Sequence, residues 1–159
     1  MARAISAVPK GLHTITPQLT LDNAAETLAW YQKAFGAEEI YRSVGPDGKV
    51  MHAEVHIGNS AFFVNDVMMD HGRGPKGYGG SPAGFWLYVD DCDALYKRAV
   101  DAGAKVAQPL EDQFWGDRAG LITDPAGYCW WIATRKEDLT QKELNQRAEA
   151  HSKMAQPSR

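Results

Sequence analysis

The chain carries one pattern twice. Leu21-Asp22-Asn23-Ala24-Ala25-Glu26-Thr27-Leu28-Ala29-Trp30-Tyr31 leads into Phe35-Gly36-Ala37, and Val89-Asp90-Asp91-Cys92-Asp93-Ala94-Leu95-Tyr96-Lys97-Arg98 leads into Ala102-Gly103-Ala104. Each copy reads as a strand end, an acidic helix cap, an amphipathic helix and a Gly-Ala stop. Each is followed by enough alternating sequence for about three more strands. Two copies offset by about 67 residues are too few and too long for a stacked repeat array. The reading that fits is α+β: two tandem βαβββ modules forming one pseudo-symmetric domain, with a site between the halves.

The expected strands of the first module cover residues 13–21, 39–44, 50–57 and 60–67, with a helix between the first two. On the first strand Leu19 and Leu21 face the helix, which leaves Thr16, Gln18 and Thr20 on the opposite face. Residues 68–83 carry Gly72, Gly74, Gly77, Gly79 and Gly80 with Pro75 and Pro82, and read as a linker or a mobile lid. The second module, 84–138, has strands expected at 85–90, 105–109, 118–123 and 128–134. Residues 13–138 thus make one domain, after an arm at 1–12. Thr140-Gln141-Lys142-Glu143 is a capping box that starts a C-terminal helix reaching about Ala150, within a terminal segment 139–159. Leu139, Leu144 and Ala148 are its main apolar residues, so it reads as an appendage that packs on a partner subunit or frays.

A net charge of −3 with scattered Lys and Arg argues against a nucleic-acid partner. No run of 18 apolar residues calls for a membrane. No signal-peptide pattern is evident, and two cysteines give no disulfide framework, so a cytoplasmic setting is expected.

Several segments resemble the vicinal oxygen chelate superfamily, which includes glyoxalase I, bleomycin-resistance proteins, extradiol dioxygenases and fosfomycin-resistance enzymes. They are Thr16-Pro17-Gln18-Leu19, Trp30-Tyr31-Gln32-Lys33-Ala34-Phe35-Gly36-Ala37, Met51-His52-Ala53-Glu54, Glu111-Asp112-Gln113-Phe114-Trp115-Gly116-Asp117-Arg118 and Asp124-Pro125-Ala126-Gly127-Tyr128. Within it the chain most resembles the PhnB-like branch. The resemblance implies the glyoxalase/bleomycin-resistance fold, in which the two modules form a cupped mixed sheet with a ligand site in the concavity. It also implies a homodimer, and a divalent metal held by His, Gln or Glu side chains on the first and last strands of each module.

Those ligand positions fall at Thr16 (with Gln18 one step along), near Phe63, at Gly84 and at Trp131. Phe63, Gly84 and Trp131 offer no side-chain ligand, so no metal cofactor is expected. A displaced divalent metal site would use His52 and Glu54, which lie about 7 Å apart on one strand face, whereas His52 and His56 at about 13 Å could hardly share an ion. Two ligands fall short of a usual zinc site. The bland alternative has His52 and Glu54 hydrogen-bonding to each other or to Arg118.

Parity turns Phe63, Trp86, Tyr88 and Trp131 toward the cup, with Trp115 closing it from a loop. Such walls suit a flat aromatic or amphipathic small molecule, unless the rings simply fill the space. Arg118 either clamps a carboxylate or phosphonate of the ligand or pairs with Glu54 or Asp117. Cys129 shares parity with Trp131 and could join His52 as a nucleophile pair, although strand cysteines are mostly inert. Cys92 opens a helix, and His71 and His151 show no partner in sequence.

Three functions remain open. The leading one is metal-independent binding or sequestration of an aromatic or amphipathic molecule. The others are a metal-dependent lyase, isomerase or dioxygenase using His52 and Glu54, and a metal-free acid/base enzyme using the same residues.

Overall fold

Eight strands form two four-stranded sheets, each with one helix of its own, in a computed structural model that describes residues 4–68 and 72–155. The linker's His71 and the two ends of the chain, 1–3 and 156–159, lie outside the described residues. The chain divides into two units: Met1–Pro82 with Pro125–Tyr128, and Ala83–Asp124 with Cys129–Arg159. No helix among the described residues is long and apolar enough to cross a membrane.

The first unit contains β1 (Gln18–Leu21), α1 (Ala24–Phe35), β2 (Glu38–Val44), β3 (Val50–Ile57) and β4 (Ser60–Asp66), in sheet order β1-β4-β3-β2. β1 runs parallel to β4, and the remaining pairs are antiparallel. Asn23 caps α1, its side chain accepting from the Glu26 amide, and Gly36 closes the helix in the left-handed conformation at φ 68°. Leu28, Tyr31 and Ala34 on α1 are sealed against Leu21, Val55 and Val64, all at most 1% exposed. A short 3₁₀ turn follows over Pro75–Tyr78.

The second unit repeats the plan with β5 (Gly84–Tyr88), α2 (Cys92–Asp101), β6 (Lys105–Asp112), β7 (Asp117–Thr123) and β8 (Cys129–Arg135), in sheet order β5-β8-β7-β6. Asp91 caps α2 by accepting from Ala94 N. Ala99, Ile122 and Ile132 are fully buried, and Trp130 is 4% exposed. Gly120 exists for α2, since a Cβ there would come within 2.5 Å of the Tyr96 ring and 3.0 Å of Leu110 Cα.

Two strand boundaries differ from expectation by more than two residues. β1 starts at Gln18 instead of residue 13. Pro17 has no N–H to donate, and only its carbonyl joins the sheet, accepting from Phe63 N at 2.8 Å. Thr16 lies before the strand, its hydroxyl turned back onto the His13 carbonyl at 3.2 Å. β6 continues past Pro109 to Asp112. It is an outer strand, where proline is tolerated, and its register against β7 shifts on either side of Gln108.

The C-terminal helix α3 (Gln141–Ala155) runs about a turn beyond the expected end and begins at the anticipated capping box. Glu143 accepts from Thr140 N at 2.8 Å, and Thr140 Oγ1 accepts from Glu143 N at 3.3 Å. The helix belongs to the second unit, where Arg147 pairs with Glu137 and the His151 ring stacks on Phe114 at 4.9 Å.

In both units a side chain from the last strand takes the first amide of the helix. Asp66 accepts from Ala24 N and Val50 N, each at 2.7 Å, while only 6% exposed. Thr134 Oγ1 accepts from Cys92 N at 2.9 Å and donates to the Val89 carbonyl at 2.7 Å. Replacing Asp66 by Ala strands two buried amides. It is expected to lower stability in urea unfolding by roughly 2–5 kcal/mol, against about 1–2 kcal/mol for Thr134→Val.

Candidate functional site

In each unit the helix covers one face of the sheet, and the candidate residues other than Arg118 lie on the other side. On β3, Ala53 and Val55 are buried toward α1, which turns His52, Glu54 and His56 to the open face. Phe63 of β4 sits in register between Gln18 and Glu54. Its ring lies 4.6 Å from that of His52, tilted by 54°, with Tyr41 a further 6.4 Å from His52.

Glu54 pairs with His56, two residues along the same strand face, instead of with the expected His52 or Arg118. His56 Nε2 is 2.7 Å from Glu54 Oε1, and both side chains are about a quarter exposed. His52 packs on Phe63 instead. Gln18 donates its amide to Asn65 Oδ1 at 2.8 Å. Asn65 is 2% exposed and donates in turn to the Asp66 carbonyl at 2.9 Å. The open face of the first unit is therefore mainly polar, with Phe63 and Tyr41 as the aromatic neighbours of His52.

The second unit is its opposite. Trp86 on β5 pairs in register with Trp131 on β8, and their rings stack at 4.9 Å with planes 8° apart. Tyr88, two residues along the same strand face, continues the stack at 5.9 Å and 20°. Trp115, in the turn between β6 and β7, stands nearly perpendicular to both indoles at 6.1 Å. Phe114 meets Trp115 edge-on and links the cluster to His151 of α3.

Asp117 sits among these rings. It is 7% exposed, and its Oδ2 accepts from the Tyr88 hydroxyl at 2.9 Å and from Trp115 Nε1 at 3.0 Å. Partial loss of water from the phenolate raises the Tyr88 pKa above the ordinary phenol value, and the hydrogen bond to Asp117 raises it further. The sequence reading treated Asp117 only as a partner for Arg118. Its β7 parity with Leu121, the register partner of Trp131, is the signal that could have placed it with the rings.

Arg118, expected at the ligand, lies on the opposite face for the same reason. Alternation on β7 turns it toward α2, where Nε and Nη2 reach the two Asp93 oxygens at 2.8 Å and Nη1 reaches Asp112 at 3.3 Å. It lines a cavity of about 430 Å³ with Asp93, Asp112, Lys136 and Glu137. The hydrogen bonds to Asp93 and then Asp112 hold the guanidinium well above its usual pKa, and Asp93 is lowered in return. With both edges of its fork engaged, it organises β7 against α2, a partnership that replaces the expected one with Glu54 or Asp117. Cys129 is opposite Gly84 at the start of the β5–β8 pairing, half-buried and free, and Cys92 is buried under Arg118, its thiol 3.4 Å from that carbonyl.

The donor set does not fit the divalent metal that the resemblance implies. Thr16 is in a turn, Phe63 packs on His52, Gly84 has no side chain and Trp131 is in the indole stack. Among the described residues no three His, Cys, Asp or Glu side chains gather closely enough to hold an ion.

A family model described as the Glyoxalase/Bleomycin resistance protein/Dioxygenase superfamily matches residues 11–132. An uncharacterised protein of Mycobacterium bovis is 40% identical over 134 residues, covering 82% of this chain and 88% of its own. A solved Arabidopsis thaliana structure superposes with a TM-score of 0.63 at 28% identity, covering 79% of this chain and 99% of that one. A PhnB protein from Bacillus cereus shares the fold at a TM-score of 0.59 and 17% identity, over 77% of this chain and 99% of its own.

The Asp117 bond gives a direct check. Asp117→Asn should bring the Tyr88 phenol down toward the ordinary value without reaching it, because the loss of water remains. NMR of ¹³C-labelled tyrosine through alkaline pH, with Tyr88→Phe to assign the resonance, reads this.

Proposed function

Because the chain belongs to the glyoxalase/bleomycin resistance protein/dioxygenase superfamily, we propose that it is a small-molecule binding protein of that family working without the usual divalent metal. Its ligand is a flat aromatic or amphipathic organic molecule, bound or sequestered against the aromatic cluster of the second unit. The observation that carries this reading is the assembly of Trp86, Tyr88, Trp115 and Trp131 on the face left open by α2. Two of those rings remain 46% (Trp86) and 57% (Tyr88) exposed. A core would have closed over them. Stacking on such rings and removing their area from water supplies affinity without any coordinated ion.

The family's homodimer is part of the same proposal. Ile40, Tyr41, Val44 and Met51, at the β2 edge of the first sheet, are each about half exposed, apolar area that a second copy would cover. Light scattering coupled to gel filtration should then give twice the 17.5 kDa of one chain.

A second reading rests on one specific contact. Glu54 and His56, 2.7 Å apart on the open face of the first unit, form a carboxylate–imidazole pair of the kind that moves protons. If the protein turns over a carbonyl compound or an epoxide, Glu54→Gln abolishes a bell-shaped pH–rate profile.

For the leading reading, intrinsic tryptophan fluorescence titrated with flat aromatic compounds is the test. Trp86→Ala should weaken binding by roughly tenfold or more, as expected for a lost stacking partner. Prior dialysis against a chelator should leave the affinity of the intact protein unchanged. An affinity that disappears on chelation and returns with one divalent ion overturns the metal-free assignment.

A further inference from the structure

The geometry points to the charge of the ligand: we infer that the aromatic cluster of the second unit selects a cation, a flat ring or amphiphile carrying a fixed or protonated nitrogen, through the carboxylate of Asp117. The inference rests on the aromatic-binding reading above and adds to it a sign of charge.

Asp117 is 7% exposed, and both groups that reach its Oδ2 are neutral donors, the Tyr88 hydroxyl and the Trp115 indole. Neutral donors hydrogen-bond a buried carboxylate without cancelling its charge. Among the described residues no Lys, Arg or His nitrogen forms an ion pair with it. Arg135, its register partner on β8, directs Nε to Asp138 at 2.8 Å. Asp117 lines a cavity with Asp93, Asp112, Arg118, Lys136 and Glu137, and the formal balance of these six side chains is two net negative charges.

The same two hydrogen bonds act on the rings. A phenol or indole that donates to a carboxylate gains electron density, which deepens the negative potential over its face. That potential is what attracts a cation to Trp or Tyr. Tyr88, the more exposed ring, is one of the two so polarised, and Trp86 beside it is also accessible. A neutral ring placed here gains stacking alone. An anion meets both the carboxylate and the ring faces with the wrong sign.

Three probes of similar size separate these cases: N-methylquinolinium, 1-methylnaphthalene and 1-naphthoate, titrated into the intact protein by ligand-observed NMR. At low salt N-methylquinolinium should bind about tenfold or more tighter than 1-methylnaphthalene, with 1-naphthoate weakest. The preference should narrow as ionic strength rises, a measurement that needs no variant. Asp117→Asn, which keeps an oxygen for both donors, should bring the cation-to-neutral ratio to within about threefold. If the three probes bind equally, or 1-naphthoate binds best, the charge assignment is overturned while the aromatic site stands. If none of them binds, the aromatic site falls as well. A cation preference that survives intact in Asp117→Asn also overturns the assignment to this carboxylate.

Discussion

The fold depends on how each sheet holds the helix that crosses it. The first amide of a helix has no partner within the helix, and in both units the last strand supplies one. Asp66 does so for Ala24 while also binding the first residue of β3, and Thr134 does so for Cys92 while tying down the end of β5 through Val89. One polar side chain thus fixes the crossover between two parallel strands. With the helix pinned to one face, the other is left for side chains that need not be apolar.

Two copies of one scaffold have acquired different open faces. In the first unit that face carries Gln18, His52, Glu54 and His56, arranged in short polar pairs. In the second, equivalent strands carry indoles and a phenol around one buried carboxylate. The helix-facing positions are mostly apolar in both, Val55, Phe62 and Val64 in the first unit and Ile122, Trp130 and Ile132 in the second, because packing against a helix buries them. Duplication therefore conserves the side of the sheet that builds the core and leaves the other side free to change its chemistry.

The duplicated caps, the alternation of Leu19 and Leu21 and the Gly-Ala stops made the architecture legible, since each reflects a local rule of backbone geometry. Parity on β5 and β8 likewise brought Trp86, Tyr88 and Trp131 to one face. What the sequence could not show was pairing among polar groups. Three residues of β3 share a face, and whether Glu54 turns to His52 or to His56 depends on Phe63 occupying the space beside His52. For Arg118 the chemical type leaves a ligand clamp and a structural pairing equally open, whereas alternation from Asp117 sends it toward α2 and Asp93. Thr16 was lost to the strand because its neighbour Pro17 cannot donate to the ladder.

Pro109 has a consequence for how the molecule behaves while it is being made. Outer strands present unsatisfied amides to any unfolded chain nearby, and a regular one is a template for runaway strand addition. On β6 the proline removes one donor, and the register shifts around it bend the strand away from a straight ladder. A nascent or partly opened copy would find no continuous partner along that edge. Protection against fibrous self-assembly is thus written into a strand that takes no part in the candidate site.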